Sequence, residues 1–184
     1  MFSGLREPRR IRAGIAQVIL TAIIILVVFT AVQFTMQSFR VEGHSMEPTF
    51  PDGEYIVVNK LSYRLGSPHR GDVVVFRNPQ MPDHLYIKRI VGLPGDSVEI
   101  RSGRFYVNGS LLEESPEFGA ILCENYSVTV PPDRYFVIGD NRTATSGSHT
   151  FGLVPRDNIV GKTWICYWPP REWGLSPNYA AAAG

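Results

Sequence analysis

The chain has 184 residues, 44% of them apolar, and its 18 basic and 17 acidic side chains leave a formal charge of +1. That length suits one domain with an appended segment, and the apolar share excludes wholesale disorder. A charge so close to neutrality offers no basic field for nucleic acid, so no nucleic-acid partner is expected.

Arg6, Arg9, Arg10 and Arg12 crowd the first twelve positions, and directly behind them residues 15–32 carry no charge at all. As a helix, residues 13–34 would span roughly 33 Å at ~1.5 Å per residue. A bilayer's hydrocarbon core is about 30 Å thick. A cleaved leader is the competing reading, but its apolar region runs only ~7–15 residues. The Arg9-Arg10 pair also resembles a twin-arginine signal, against which the long apolar stretch argues. With arginines before the span and only Arg40 soon after it, residues 1–12 are expected in the cytoplasm. Residues 13–36 are then a single transmembrane anchor, with everything from about Gln37 outside.

Beyond the anchor, short β-branched or aromatic runs alternate with Gly, Pro and Asp. Residues 55–59, 72–77, 85–91, 97–100, 104–107, 127–130, 135–138 and 162–167 read as strands. Ser102-Gly103 and Asn108-Gly109 are turn signals that make 97–112 a hairpin. The fold class is therefore mainly β: packed or barrel-like antiparallel sheets over residues 37–170, preceded by one transmembrane helix. Residues 113–125 lack a period and read as a loop or small excursion. Residues 171–184 read as a flexible tail. Cys123 and Cys166 allow one disulfide without requiring it. No ligand spacing suggests a metal, and no cofactor is expected.

Three clusters carry chemistry. The first, V-E-G-H-S-M-E-P-T-F at 41–50, places Ser45 two residues after Gly43, which permits close backbone approach. Taken alone, Ser45 also reads as an ordinary turn serine. The second, Y-I-K-R-I-V-G-L-P-G-D at 86–96, sets Lys88 inside an apolar strand, on one face with Tyr86 and Ile90. A lysine on an edge strand facing water is the plain alternative. At a pKa near 10.4 only about one amine in a few thousand is neutral at pH 7. Burial can lower that pKa enough to make Lys88 a base for the Ser45 hydroxyl. The third, G-D-N-R-T-A-T-S-G-S-H at 139–149, is a turn that would sit beside the lysine.

In order and rough spacing these clusters resemble the bacterial type I signal peptidases (leader peptidases), and the likeness runs from the anchor to about Lys162. The resemblance implies a membrane-anchored serine endopeptidase of the bacterial plasma membrane. It would remove signal peptides from exported preproteins after small residues at −1 and −3, its partners being those peptides and the lipid bilayer. It implies Ser45 as nucleophile, Lys88 as general base and the Ser45 N–H as oxyanion donor. Where some members carry a second hydroxyl donor this chain has Gly43, and Thr145 stands where many have a serine holding the lysine. Relatives often read S-x-D-S-R where this chain has T-S-G-S-H, so Gly147 and His149 cannot form the usual ion pair. Asp140 is expected to pair with Arg89 or Arg142 instead. Substrate is expected as an added strand, with Val41, Gly43, Met46, Phe50, Tyr86 and Ile87 about the pockets, unless these side chains are ordinary core. A histidine base from His69, His84 or His149 is a lesser alternative; His44 adjoins Ser45, but neighbours on an extended chain point apart. Self-cleaving repressors also use Ser and Lys, but they carry a DNA-binding segment in place of an anchor. A catalytically silent, membrane-tethered peptide-binding module is the alternative from another class. A monomer is expected.

Overall fold

An unbroken apolar run gives way to strand periodicity near residue 36, and the architecture changes there too. The structure, a computed structural model, describes residues 7–176. Helix α1 spans Glu7–Thr35, and its Gly14–Thr35 portion, with mean hydropathy 2.8, is long and apolar enough to cross a membrane. The chain divides into two compact units between Met36 and Gln37.

The second unit is built of antiparallel strands. In chain order these are β1 (Met36–Arg40), β2 (Tyr55–Asn59), β3 (Val73–Arg77), β4 (Leu85–Gly92), β5 (Ser97–Arg101), β6 (Arg104–Val107), β7 (Ser110–Leu111), β8 (Tyr126–Thr129), β9 (Arg134–Ile138), β10 (Val154–Pro155), β11 (Ile159–Trp168) and β12 (Gly174–Leu175). One-turn helices α2 (Ser62–Leu65) and α3 (Ser148–Phe151) interrupt them. The larger sheet runs β1-β2-β11-β3-β4-β9-β10, with β12 added to β11, and the smaller runs β7-β6-β5-β8.

Burial on both faces accounts for the continuous apolar reading of β3 and β4. Val73 and Val75 join Val41, Met46, Phe50, Ile56 and Val58 on one side of the larger sheet. Val74 and Phe76 join Ile90, Tyr135, Val137 and Phe151 on the other. The smaller sheet packs Val98, Ile100, Phe105 and Val107 against Phe136 and Ile138 of β9. The hairpin β5–β6–β7 forms at 97–112; Asn108 and Gly109 take φ of 51° and 81°, the left-handed pair that closes a two-residue turn.

The structure bears on three sequence readings. The tail starts later than 171: β12 pairs with β11 through Ile165–Leu175, and the Ser176 hydroxyl lies 2.7 Å from that of Thr163. The remaining tail residues, 177–184, lie outside the described residues, as do 1–6. Cys123 and Cys166 are both free thiols. Segment 113–125 holds one short 3-10 turn, Pro116–Phe118, and its Phe118 and Ile121 are buried, so it is packed against the domain.

Candidate active site

Lys88 is placed by sheet pairing rather than by a loop. It lies opposite Val74 in the β3–β4 register, which turns its side chain to the same face as Tyr86 and Ile90. The residue is only 4% exposed, and its Nζ donates a hydrogen bond of 2.5 Å to Ser45 Oγ. Loss of hydration pulls its pKa from an ordinary 10.5 down to about 8, against the opposing pull of the Asp140 charge. Desolvation wins because Asp140 is already engaged elsewhere. Arg89 points to the opposite face of β4, where its Nε and Nη2 hold the two Asp140 oxygens at 2.8 and 2.6 Å. Asp140 is fully buried and also accepts the Thr49 hydroxyl at 2.6 Å.

Ser45 belongs to a turn pinned from below and from the side. Met46 and Phe50, 0% and 1% exposed, anchor it in the core. Gly43, at φ +84°, turns its N–H to Asp52 Oδ1 at 2.7 Å. The turn after β9 then grips the backbone: Asn141 N–H donates to the Ser45 carbonyl and Asn141 Nδ2 to the His44 carbonyl, each at 3.1 Å. Gly139 makes this approach possible. A Cβ there would stand 2.2 Å from the Ser45 carbonyl oxygen and 2.1 Å from Thr145 Oγ1. No protein acceptor takes the Ser45 N–H among the described residues.

A cleft of about 360 Å³ opens over this pair. Of the six expected pocket residues, Val41, Tyr86 and Ile87 line it, together with Phe39, Ile56, Val75 and Ser146. Met46 and Phe50 do not: their apolar side chains are spent holding the Ser45 turn to the core. Gly43 also stays outside the lining, facing solvent. Thr145 differs from expectation as well, since its hydroxyl donates to the Ser146 carbonyl at 2.9 Å rather than meeting Lys88.

The departures at 147 and 149 have a steric counterpart. A Cβ at Gly147 would meet Ile138 Cδ1 at 2.3 Å, so this backbone leaves no room for a carboxylate there. His149 packs edge-on to Tyr126, its Nδ1 buried without a partner, and burial lowers its pKa. No histidine among the described residues bonds to Ser45. His44, whose pKa is raised, is engaged with Glu47 at 2.7 Å, and His69 lies 3.8 Å from Asp72. Among the described residues no cluster of three or more His, Cys, Asp and Glu side chains could hold a metal ion.

The sequence reading missed one participant. Arg142 is held by both carboxylate oxygens of Glu114, from the aperiodic segment 113–125. No local pattern marks Glu114, since the pairing spans 28 positions.

A buried lysine touching a serine beside a peptide-sized cleft narrows the comparison with known proteins. The family model described as signal peptidase, peptidase S26, matches residues 14–168. The chain belongs to this family. It is accordingly a serine peptidase, and the family fold expected from the sequence, mainly β behind one apolar helix, is the one observed. Among the family's members, a probable signal peptidase I-2 from Synechocystis sp. is 40% identical over 77% of this chain and 67% of its own length. A signal peptidase IB from Staphylococcus aureus is 33% identical over 88% of this chain and 93% of its own. A crystal structure of a signal peptidase I from Enterococcus faecalis is 31% identical, with a TM-score of 0.46 over 53% of this chain and 97% of that one.

Proposed function

We propose that this signal peptidase family member removes signal peptides from exported preproteins with a Ser45/Lys88 dyad, held to the membrane by α1. The contact of 2.5 Å between the buried Lys88 Nζ and the half-buried Ser45 Oγ carries the reading. With a pKa of about 8, roughly one Lys88 in ten is neutral at pH 7, against about one in three thousand at 10.5. The neutral amine accepts the Ser45 hydroxyl proton as Oγ attacks the scissile carbonyl carbon. The ammonium so formed returns that proton to the departing amine as the C–N bond breaks. Water, deprotonated in turn by Lys88, then cleaves the acyl ester and regenerates the hydroxyl. The unengaged Ser45 N–H is a ready donor to the oxyanion of each tetrahedral intermediate.

Residues 39–42 and 84–88 both line the cleft, and a signal peptide entering as an extended strand would pair with their backbones while its side chains meet Val41, Tyr86 and Ile87. The apolar side chains of Val41, Ile56, Val75 and Ile87 in this cleft suit the small residues expected at −1 and −3. The arginines ahead of the apolar span Gly14–Thr35 orient the β domain outward.

Cleavage of a purified preprotein by wild type, Ser45→Ala and Lys88→Ala tests the dyad, with sequencing of the product's new N-terminus. Activity in wild type alone supports it. Undiminished activity in either variant refutes it, and inactivity of all three favours the silent peptide-binding module.

A further inference from the structure

Two groups from the aperiodic segment 113–125 reach the turn that grips Ser45. Glu114 takes Nη1 and Nη2 of Arg142, with Nη2 to Oε1 at 2.5 Å, and the Phe118 carbonyl accepts the Arg142 N–H at 3.2 Å. The guanidinium, with its residue 3% exposed, lies between two rings, 4.9 Å from the centroid of Phe105 and 5.3 Å from that of Phe118. Its Nε donates to the Gly139 carbonyl at 3.0 Å. Gly139 is also where an added Cβ would run into the Ser45 carbonyl oxygen.

A buried guanidinium needs a carboxylate. The turn itself supplies none to Arg142: the Asp140 oxygens are taken by Arg89 and Thr49, residue 147 is glycine and 149 is histidine. Glu114 comes from outside the turn to fill that need. It is absent from the lining of the Ser45 cleft, and its bonds to Arg142 tie it to the turn that grips Ser45.

We propose that Glu114 is a positioning residue for catalysis. By locking Arg142, which fixes the Gly139 carbonyl, it holds Asn141 against the Ser45 backbone and so sets Oγ against Nζ. The inference rests on the dyad reading above. Small displacements matter here because proton transfer needs the donor and acceptor within hydrogen-bond reach.

The test uses the full-length chain in detergent micelles with a purified preprotein, measuring kcat and KM at a temperature where circular dichroism shows every variant folded. Glu114→Ala is expected to lower kcat at least tenfold and the isosteric Glu114→Gln several-fold, with KM within about twofold. The double variant Glu114→Ala/Arg142→Ala should be no slower than Arg142→Ala alone, as for two groups acting as one unit. Glu99→Ala, which removes a half-buried partner of the exposed Arg101, should match wild type. If Glu114→Ala does not fold, Glu114→Gln decides.

Wild-type kcat in the Glu114 variants, with Ser45→Ala and Lys88→Ala inactive, overturns the positioning role and leaves the dyad standing. Additive losses in the double variant, or a change confined to KM, also overturn it. Activity surviving in Ser45→Ala or Lys88→Ala removes the dyad and this role together.

Discussion

Replacing Lys88 by methionine should make the protein inactive and more stable at the same time. The side chain is one atom shorter, stays unbranched and loses the charge that burial penalises. A pKa drawn down from 10.5 to about 8 corresponds to roughly 3 kcal/mol of folding free energy, at ~1.36 kcal/mol per unit. Losing the bond to Ser45 gives back about 1 kcal/mol. Lys88→Met should therefore be about 2 kcal/mol more stable than wild type at pH 7. Between pH 8 and 10.5 the unfolded wild type binds more protons than the folded, so wild-type stability rises with pH there, while the variant has no such proton to lose. The gap should narrow by ~2.5 kcal/mol from pH 7 to pH 10, ending near zero. Urea unfolding of both full-length proteins in micelles, followed by near-ultraviolet circular dichroism of the buried aromatic rings, gives the gap at each pH. A gap that stays constant with pH, or a variant less stable at pH 7, would refute the claim that Lys88 is destabilised by burial.

The remaining predictions are simpler. The acidic limb of the pH–rate profile should rise with an apparent pKa near 8; a profile flat until pH 10 contradicts a desolvated base. Asp140→Ala strands a buried Arg89 and should cost about 3–5 kcal/mol in the same urea assay; a loss under 1 kcal/mol would show the pair is dispensable. Thr145→Val should stay within a few-fold of wild-type kcat, since that hydroxyl serves Ser146; a hundredfold loss would mean it meets Lys88 during turnover. His149→Phe should resist acid better than wild type. Burial lowers the His149 pKa, so wild-type stability falls as pH drops below about 6.5, and an unchanged midpoint between pH 7 and 5 would disprove this.

The strands of this fold were legible because each advertises itself locally: β3 reads V-V-V-F and is covered on both faces, and Asn108-Gly109 states its own turn. Ser45 and Lys88 each had an ordinary reading alone and stood out through the order and spacing of the motifs around them. What stayed hidden was the choice between packing and contact. Met46 and Phe50 are as apolar as Val41, yet only the fold decides that they face inward while Val41 also borders the cleft. The Thr145 hydroxyl had several carbonyls and one amine within plausible reach, and sequence spacing cannot rank them. Glu114 was least legible of all. Its role depends on a guanidinium far along the chain whose other possible partners are occupied or absent.

All three tryptophans of the chain, Trp164, Trp168 and Trp173, fall within ten positions on β11 and the turn leading to β12, and each remains between 43% and 70% exposed in the fold. Intrinsic emission is thus an optical gauge of a single exposed edge, already red-shifted while the protein is native. The same placement makes it selective in the opposite direction. An apolar phase that reached this edge, whether detergent tail or leader peptide, would shift the emission to the blue without any unfolding at all.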